Sequence, residues 1–182
     1  MRLLPLCLAV LAGGCLSPAP APAVRWFAPH MTPVAAIDGA RPVPLRRIAV
    51  RADAHIDERM LLRTSDVEFF PDELDRWIAS PGQFTEQALE SALFDSGRCA
   101  EDPSGPELRA TLHGFEAVLG NSPLARVEIE IAIEHEGAVR RTVIRRDVGL
   151  ADTAPESIAR GIGAALAASA DAVAAWLVPS GG

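Results

Sequence analysis

The sequence of 182 residues contains no tyrosine and no lysine, and only three of its residues are cysteine. All of the basic residues are therefore arginine, which we attribute to a GC-rich genome and from which no function follows. Cys7 and Cys15 lie in an N-terminal segment that we expect to be processed, which leaves Cys99 as a single free thiol. A disulfide within the mature chain is thereby excluded in any compartment.

Recognisable metal-binding and nucleotide-binding patterns are also missing. The histidines have no paired spacing and only one thiol is available, which argues against a zinc site. No serine lies in a Gly-x-Ser-x-Gly turn. Gly161 and Gly163 fall inside a predicted helix rather than after a strand, so they do not form a phosphate-binding loop. The histidines are His30, His55, His113 and His135.

The remaining reactive groups each have an ordinary structural explanation. The acidic cluster at residues 72–75 is typical of a helix start, where carboxylates favour the helix dipole. Cys99, which we place in a loop beside Arg98, is more often an incidental thiol than a reactive one. We therefore predict a protein that is not an enzyme and binds no metal or cofactor. His113 and Cys99 are the candidates of a remote enzymatic alternative.

The chain has more acidic than basic residues, which restricts the kinds of molecule that its surface can bind. The formal charge is −7, and loss of Arg2 with a signal peptide would make it one unit more negative. Such a surface argues against nucleic-acid binding and against lying flat on anionic head groups. The chain after the N-terminal segment is long enough for one domain with a real core and too short for two. We expect a single domain over residues 24–182.

The N-terminus has the layout of a secretory signal. Arg2 precedes an apolar stretch at residues 3–10, which is too short to span a bilayer because a span needs about 20 apolar residues. The following Leu-Ala-Gly-Gly-Cys, ending at Cys15, resembles the lipobox of bacterial lipoproteins. The resemblance implies that residues 1–14 are removed and that Cys15 carries a thioether-linked diacylglycerol and an N-acyl chain such as palmitate, a stable anchor. The alternative is an ordinary cleaved signal with a chance cysteine.

Residues 15–23 predict a tether between the anchor and the domain. Pro18, Pro20 and Pro22 alternate with alanine and favour polyproline II at about 3.1 Å per residue, hence a spacer of roughly 25 Å. Leu16 follows the cysteine at the position where enterobacterial lipoproteins retained in the inner membrane have aspartate. By that resemblance, we expect the protein at the periplasmic face of the outer membrane.

Alternation of apolar and polar residues predicts a sheet. The clearest case is residues 127–133, and Glu136-Gly137 is predicted to turn the chain into the next strand. This register places Glu128 opposite Arg145 and predicts a charged outer face with an apolar inner face. The predicted strands cover residues 24–28, 45–50, 60–63, 67–70, 108–119, 127–133 and 139–148, with a hairpin turn at 64–66.

Two capping boxes predict two helices. Ser80-Pro81-Gly82-Gln83 opens the first, which should reach about residue 96, and Thr153-Ala154-Pro155-Glu156 opens the last, which should lie close to the sheet because it is rich in small residues. Residues 31–44 and 101–106 are predicted loops, and residues 71–78 a short helical or irregular segment. The predicted fold class is α+β: a mostly antiparallel or mixed sheet with two main helices packed on one face.

One stretch carries a more specific pattern. Between His55 and Gly97, a Glu-Arg strand, a turn, a Phe-Phe strand, an Arg-Trp pair and the first helix follow one another. This resembles the ABC-type transport auxiliary lipoprotein family, whose strand reads Glu-Arg-hydrophobic-x-Tyr-Arg. Leu62 stands where the family usually has tyrosine, which keeps the bulk and removes the hydroxyl. The matching residues are Arg59, Arg63, Arg76 and Trp77.

The resemblance implies a periplasmic lipoprotein that accompanies an ABC permease, its ATPase and an MCE-type substrate-binding protein, which together move lipid or another hydrophobic solute between membranes. The chain would be a docking or scaffolding component that does not hydrolyse ATP. The resemblance is also compatible with a homo-oligomer of this chain. The four matching residues either contact a partner or, as we favour, hold the hairpin to the helix by packing and ion pairs. A direct lipid carrier is the alternative, and it predicts an apolar cleft between the sheet and the helices.

Overall fold

A computed structural model describes residues 21–32 and 42–177. The predicted signal peptide and Cys15 lie outside the described residues, as do residues 33–41 of the predicted loop. The elements in chain order are β1 (Arg25–Phe27), β2 (Val43–Leu45), β3 (Arg47–Ala52), β4 (Arg59–Arg63), β5 (Phe69–Trp77), α1 (Pro81–Glu90), a π-helical turn (Ser91–Asp95), β6 (Cys99–Glu101), β7 (Glu107–Val118), β8 (Leu124–His135), β9 (Ala138–Gly149) and α2 (Pro155–Leu177).

The predicted α+β class is confirmed. Seven strands form one mixed sheet in the order β1-β5-β4-β7-β8-β9, with β3 also paired to β7, and β2 and β6 form a separate two-stranded ribbon. The strands of the β7-β8-β9 meander are antiparallel, as the alternating pattern predicted. Both helices cover one face of the sheet, which we call the inner face, and the opposite face is the outer face.

Two consecutive strands lie along the same side of β7. β3 pairs in parallel with Glu107–Leu112, and β4 pairs in parallel with Glu116–Val118. The chain between them, residues 53–58, leaves the sheet and returns, and we call it the linking segment. Because β8 occupies the other side of β7, the linking segment lies beside the centre of the sheet.

The inner face packs on the helices through a continuous apolar core. α2 lies against β8 and β9, and α1 against β3. Two helix glycines permit this approach, because a Cβ on Gly161 would meet the Leu150 side chain and a Cβ on Gly163 would meet the backbone of His30. By length and composition alone, α2 could cross a membrane, but most of its apolar stretch is buried inside the structure. It is therefore placed as a core helix.

Several local predictions are confirmed. The Ser80 hydroxyl accepts a hydrogen bond from the Gln83 N–H while the Gln83 side chain accepts one from the Ser80 N–H, which completes the capping box of α1. Glu136 and Gly137 have positive φ angles of 52° and 79°, as a tight hairpin turn requires. Glu128 lies opposite Arg145 as predicted. At the start of α2, however, Asp152 rather than Thr153 accepts the hydrogen bond, from the Ala154 N–H.

The prediction of a helical or irregular segment at residues 71–78 is wrong. These residues continue β5, because β4 pairs with Pro71 and Arg76 on one edge and β1 pairs with Asp75–Trp77 on the other. The Asp72 carboxylate accepts hydrogen bonds from the N–H groups of Leu74 and Asp75, where the register between β4 and β5 shifts. The acidic cluster therefore does not start a helix. The predicted loops also miss β6 and the start of β2, which pair only with each other.

Candidate functional site

The residues that carry the family resemblance lie on the β4–β5 hairpin. Arg59 of β4 lies directly opposite Arg76 of β5, so two positive charges face each other across the strands. Asp57 of the linking segment receives hydrogen bonds from the Arg59 guanidinium at 2.9 and 3.1 Å. The Arg59 hydrogen bonds, with a smaller contribution from the charge of Arg76, hold the pKa of Asp57 below its usual value. The carboxylate therefore offsets a repulsion that the strand pairing alone would create.

Arg63 belongs to a chain of charges on the outer face. Its Nε donates to Glu116 Oε1 at 2.6 Å, and the Glu116 side chain is only 2% exposed. Arg126 lies 3.9 Å from the same carboxylate and donates to Asp147 at 2.9 Å. The second oxygen of Glu116 is buried without a hydrogen-bond partner among the described residues. Arg63 therefore joins β4 to β7 through a largely buried ion pair.

Trp77 is part of the core. Its ring meets Phe115 at 5.3 Å and Phe84 of α1 at 6.4 Å between centroids, both edge to face. Its Nε1 has no hydrogen-bond partner in the described part of the chain. This position holds β5 against α1 and β7. A direct role for any of the four matching residues in partner contact stays a prediction.

The turn of the β4–β5 hairpin exposes an apolar group that sequence reasoning did not single out. Val67 is 92% exposed, and Phe69 and Phe70 are also exposed. We call these three residues the hairpin tip. No signal in the sequence pointed to it, because all three residues fall in the predicted strand at residues 67–70 and are apolar like any core residue.

The ring of Phe69 at the hairpin tip is held from two sides. The Arg63 guanidinium lies 5.3 Å from the ring centroid, within cation–π range. His55 of the linking segment packs against the same ring at 5.2 Å. Asp66 and Glu68 are exposed beside it and give the hairpin tip an acidic rim. The result is a positioned aromatic side chain with carboxylates around it.

A second group on the outer face joins the linking segment to the sheet. His113 Nδ1 lies 3.0 Å from Asp53 Oδ2, and His113 Nε2 lies 3.5 Å from Glu130 Oε2. Arg141 binds the other oxygen of Glu130 at 3.2 Å. The hydrogen bond to Asp53, followed by that to Glu130, raises the pKa of His113. Asp53 is 60 residues away in the chain, so no sequence spacing could reveal this contact.

The remaining candidates do not assemble into a reactive centre. Cys99 lies in β6 and is buried, and burial raises the pKa of its thiol to about 11, so the loop placement was wrong. Within residues 21–32 and 42–177, no three His, Cys, Asp or Glu side chains are grouped so that they could hold a metal ion. Grooves of about 410 and 440 Å³ open at the surface, the first between α1 and α2 and the second beside the β8–β9 turn.

Comparison with known proteins identifies the fold. No protein-family model matches the sequence, and no curated protein matches it. The structure is similar to that of protein XCC0632 from Xanthomonas campestris, of the DUF330 family of uncharacterised bacterial proteins, with a TM-score of 0.73 and 18% identity over 84% of this chain and 94% of that one. A second solved structure, of an uncharacterised protein, is similar with a TM-score of 0.68 and 13% identity over 86% of this chain and 100% of that one.

At this level of identity the shared property is the architecture of sheet and two helices, and function does not transfer with it. The resemblance to the ABC-type transport auxiliary lipoprotein family is not tested by these two structures. It stays a prediction from the sequence.

Proposed function

We propose that this chain is a non-enzymatic accessory lipoprotein of an ABC-type transport system for lipid or another hydrophobic solute. Cys15 carries the lipid that anchors it at the periplasmic face of the outer membrane, and no other cofactor takes part. Its role is to dock an MCE-type substrate-binding protein that works with the permease and ATPase. The observation that carries this proposal is the hairpin tip, an exposed apolar group on the hairpin that bears the family resemblance.

The hairpin tip has the properties of a docking surface for a protein. Its three apolar side chains are exposed at the end of the hairpin, with Phe69 and Phe70 on opposite faces of β5 because they are successive strand residues. Phe69 is held by Arg63 and His55, so little side-chain entropy is lost when a partner covers it. Asp66 and Glu68 at the rim favour a partner whose apolar pocket is bordered by basic residues.

The carrier alternative has less support from the same structure. It requires an apolar cleft between the sheet and the helices, where the described residues instead form a filled core that includes Leu112, Ile129 and Leu166. The 440 Å³ groove is lined mainly by apolar residues but opens to the surface. Mass spectrometry of the protein purified from its native membrane tests this alternative. A bound lipid in addition to the covalent lipid on Cys15 would support the carrier function.

The test is a crosslink and pull-down of the anchored protein from its native membrane. Four forms are compared: the unaltered chain, Cys15→Ala, the tip variant Val67→Ser/Phe69→Ser, and a control variant Val139→Ser/Val143→Ser. The control removes two exposed apolar side chains from β9, away from the hairpin tip. We expect an MCE-type protein with the unaltered chain and the control, and its loss from the other two forms.

The possible outcomes separate the parts of the proposal. Equal recovery from the tip variant and the control would remove the hairpin tip as the docking surface. Equal recovery from Cys15→Ala would show that the anchor does not determine the contact. Absence of any MCE-type protein from all four forms would overturn the transport role.

A further inference from the structure

A second exposed apolar group lies at the other end of β5. Trp26 is 55% exposed and Ile78 is 66% exposed, and Val24 is also exposed. The Ile78 N–H donates to the Phe27 carbonyl at 2.8 Å, which brings these residues to one corner of the sheet. We call Val24, Trp26 and Ile78 the tether corner, because the chain from Cys15 enters the fold there.

The direction of Trp26 follows from its neighbours. Arg25 donates two hydrogen bonds of 2.8 Å to the buried Asp75, so Arg25 points to the inner face. Successive side chains of a strand point to opposite faces, so Trp26 points to the outer face. There it lies beside Arg76, its partner in the β1–β5 pairing. The bidentate Arg25–Asp75 pair fixes the short β1 strand that presents the indole.

We propose that the tether corner lies against the lipid bilayer, with the Trp26 indole in the head-group region, which rests on the proposed anchoring through Cys15. The connecting chain, from Cys15 to Val24, spans nine residue steps, or roughly 28 Å when fully extended as polyproline II. The anchor therefore limits the tether corner to within roughly 28 Å of the membrane, which leaves it free to reach the bilayer surface. The hairpin tip lies farther along the same hairpin: Arg76 pairs with Arg59 and Phe69 pairs with Arg63, which is four steps of β4, or about 13 Å at 3.3 Å per step.

The chemistry of the tether corner fits a phospholipid surface. Tryptophan is enriched at the membrane interface because its ring is apolar and its N–H can bond to hydrated head groups. The guanidinium of Arg76 donates only to the backbone carbonyl of Glu73 among the described residues, and guanidinium groups bind phosphate well. The exposed Asp66 and Glu68 of the hairpin tip would instead be repelled by an anionic leaflet.

The test uses tryptophan fluorescence of the acylated full chain in vesicles of phosphatidylethanolamine and phosphatidylglycerol. Part of the lipid carries brominated acyl chains, which quench tryptophans in contact with the bilayer. Trp77 is buried and Trp176 is partly covered by Arg140, 4.6 Å from its ring, so Trp26 is the exposed reporter. We expect brominated lipid to quench part of the emission of the unaltered chain and to leave Trp26→Phe nearly unquenched.

A positional control tests whether the quenching is local. The double variant Trp26→Phe/Val143→Trp moves the exposed indole to β9, at a site that is also 55% exposed. We expect no quenching there. Equal quenching at both sites, or none in the unaltered chain while it remains bound to vesicles, would overturn the proposal. The mass of the purified protein, measured by mass spectrometry, should include the acyl chains on Cys15. If it does not, the bilayer proposal is overturned as well.

A second variant separates failure of the bilayer proposal from failure of the proposed accessory function. Trp26→Ser should leave recovery of an MCE-type partner unchanged, because the hairpin tip is intact. If Trp26→Ser abolished that recovery while brominated lipid quenched nothing, the tether corner would be a protein contact. The bilayer proposal would then be wrong and the accessory function would stand.

Discussion

The two ends of β5 display apolar side chains but differ in what holds them in place. At the hairpin tip, Phe69 is held by Arg63, whose own position depends on the buried Glu116. At the tether corner, Trp26 of β1 pairs with Arg76 of β5. The residue after Arg76 is Trp77, which is buried in the core. Electrostatics therefore positions the hairpin tip, whereas the tether corner depends on the core packing of Trp77 together with the Arg25–Asp75 ion pair. The two ends should respond to different perturbations.

Removal of Trp77 should have the largest effect and should act on the tether corner. Trp77→Ala leaves a cavity between Phe84 and Phe115, and we expect a loss of about 3–5 kcal/mol in the free energy of unfolding. Urea denaturation of the full chain carrying Cys15→Ala measures it. Trp77→Phe, which retains an aromatic ring, should cost less. A loss below about 1 kcal/mol for the alanine variant would show that packing does not hold this end.

Removal of Arg63 should have the second-largest effect on stability and should act on the hairpin tip. Arg63→Met leaves the Glu116 carboxylate buried without its closest partner, and we expect a loss of about 2–4 kcal/mol. The double variant Arg63→Met/Glu116→Leu should be less destabilised than Arg63→Met, because no charge remains buried. Denaturation of both single variants and the double variant completes the cycle. A double variant less stable than Arg63→Met would contradict the electrostatic account of this end.

Local sequence signals predicted the elements that depend on local contacts. Ser80 and Gln83 form a capping box within one turn, and the alternation at residues 127–133 needs only one buried face. β5 was misread because Pro71 and Asp72 resemble a helix start. What makes this segment a strand is its pairing with β1 and β4, which local propensity does not encode.

The candidate site was predictable only in part, for the same reason. The resemblance directed attention to the β4–β5 hairpin, and its arginines lie on the two paired strands. Their partners could not be predicted, since Glu116 is 53 residues from Arg63 and Asp53 is 60 from His113. The two exposed apolar groups were also missed, because an apolar residue in a strand or turn is assigned to the core unless the neighbouring strands are known.

The linking segment connects the two ends, and His113 should make its stability depend on pH. The segment supplies His55 to the hairpin tip and Asp57 to Arg59, while Asp53 holds it to His113. Because the folded-state pKa of His113 is raised, its stabilisation is complete below the unfolded pKa of about 6.5 and is lost as pH rises through the folded value. We expect less than about 1 kcal/mol, since the pair is partly exposed.

Denaturation at about pH 5.5 and about pH 8.5 measures this contribution. The unaltered chain should lose stability relative to His113→Gln as pH rises across that range. A difference that is independent of pH would mean that the proton on His113 does not hold the linking segment.

Replacement of Asp57 should have the smallest effect on stability. It tests how much charge, as well as packing, contributes at the tether corner. Asp57→Asn leaves Arg59 opposite Arg76 without a compensating charge, and we expect a loss of about 0.3–1 kcal/mol because all three groups are accessible to solvent. The lowered pKa of Asp57 sets the sign: the loss should be full above about pH 4 and should disappear as the pH falls below it. Added salt should reduce it, whereas the cost of Trp77→Ala should not depend on salt. If the Asp57→Asn loss were equally indifferent to salt and pH, the carboxylate would act through the hydrogen bond that it accepts from the Arg59 N–H, and its charge would not help to organise this end of β5.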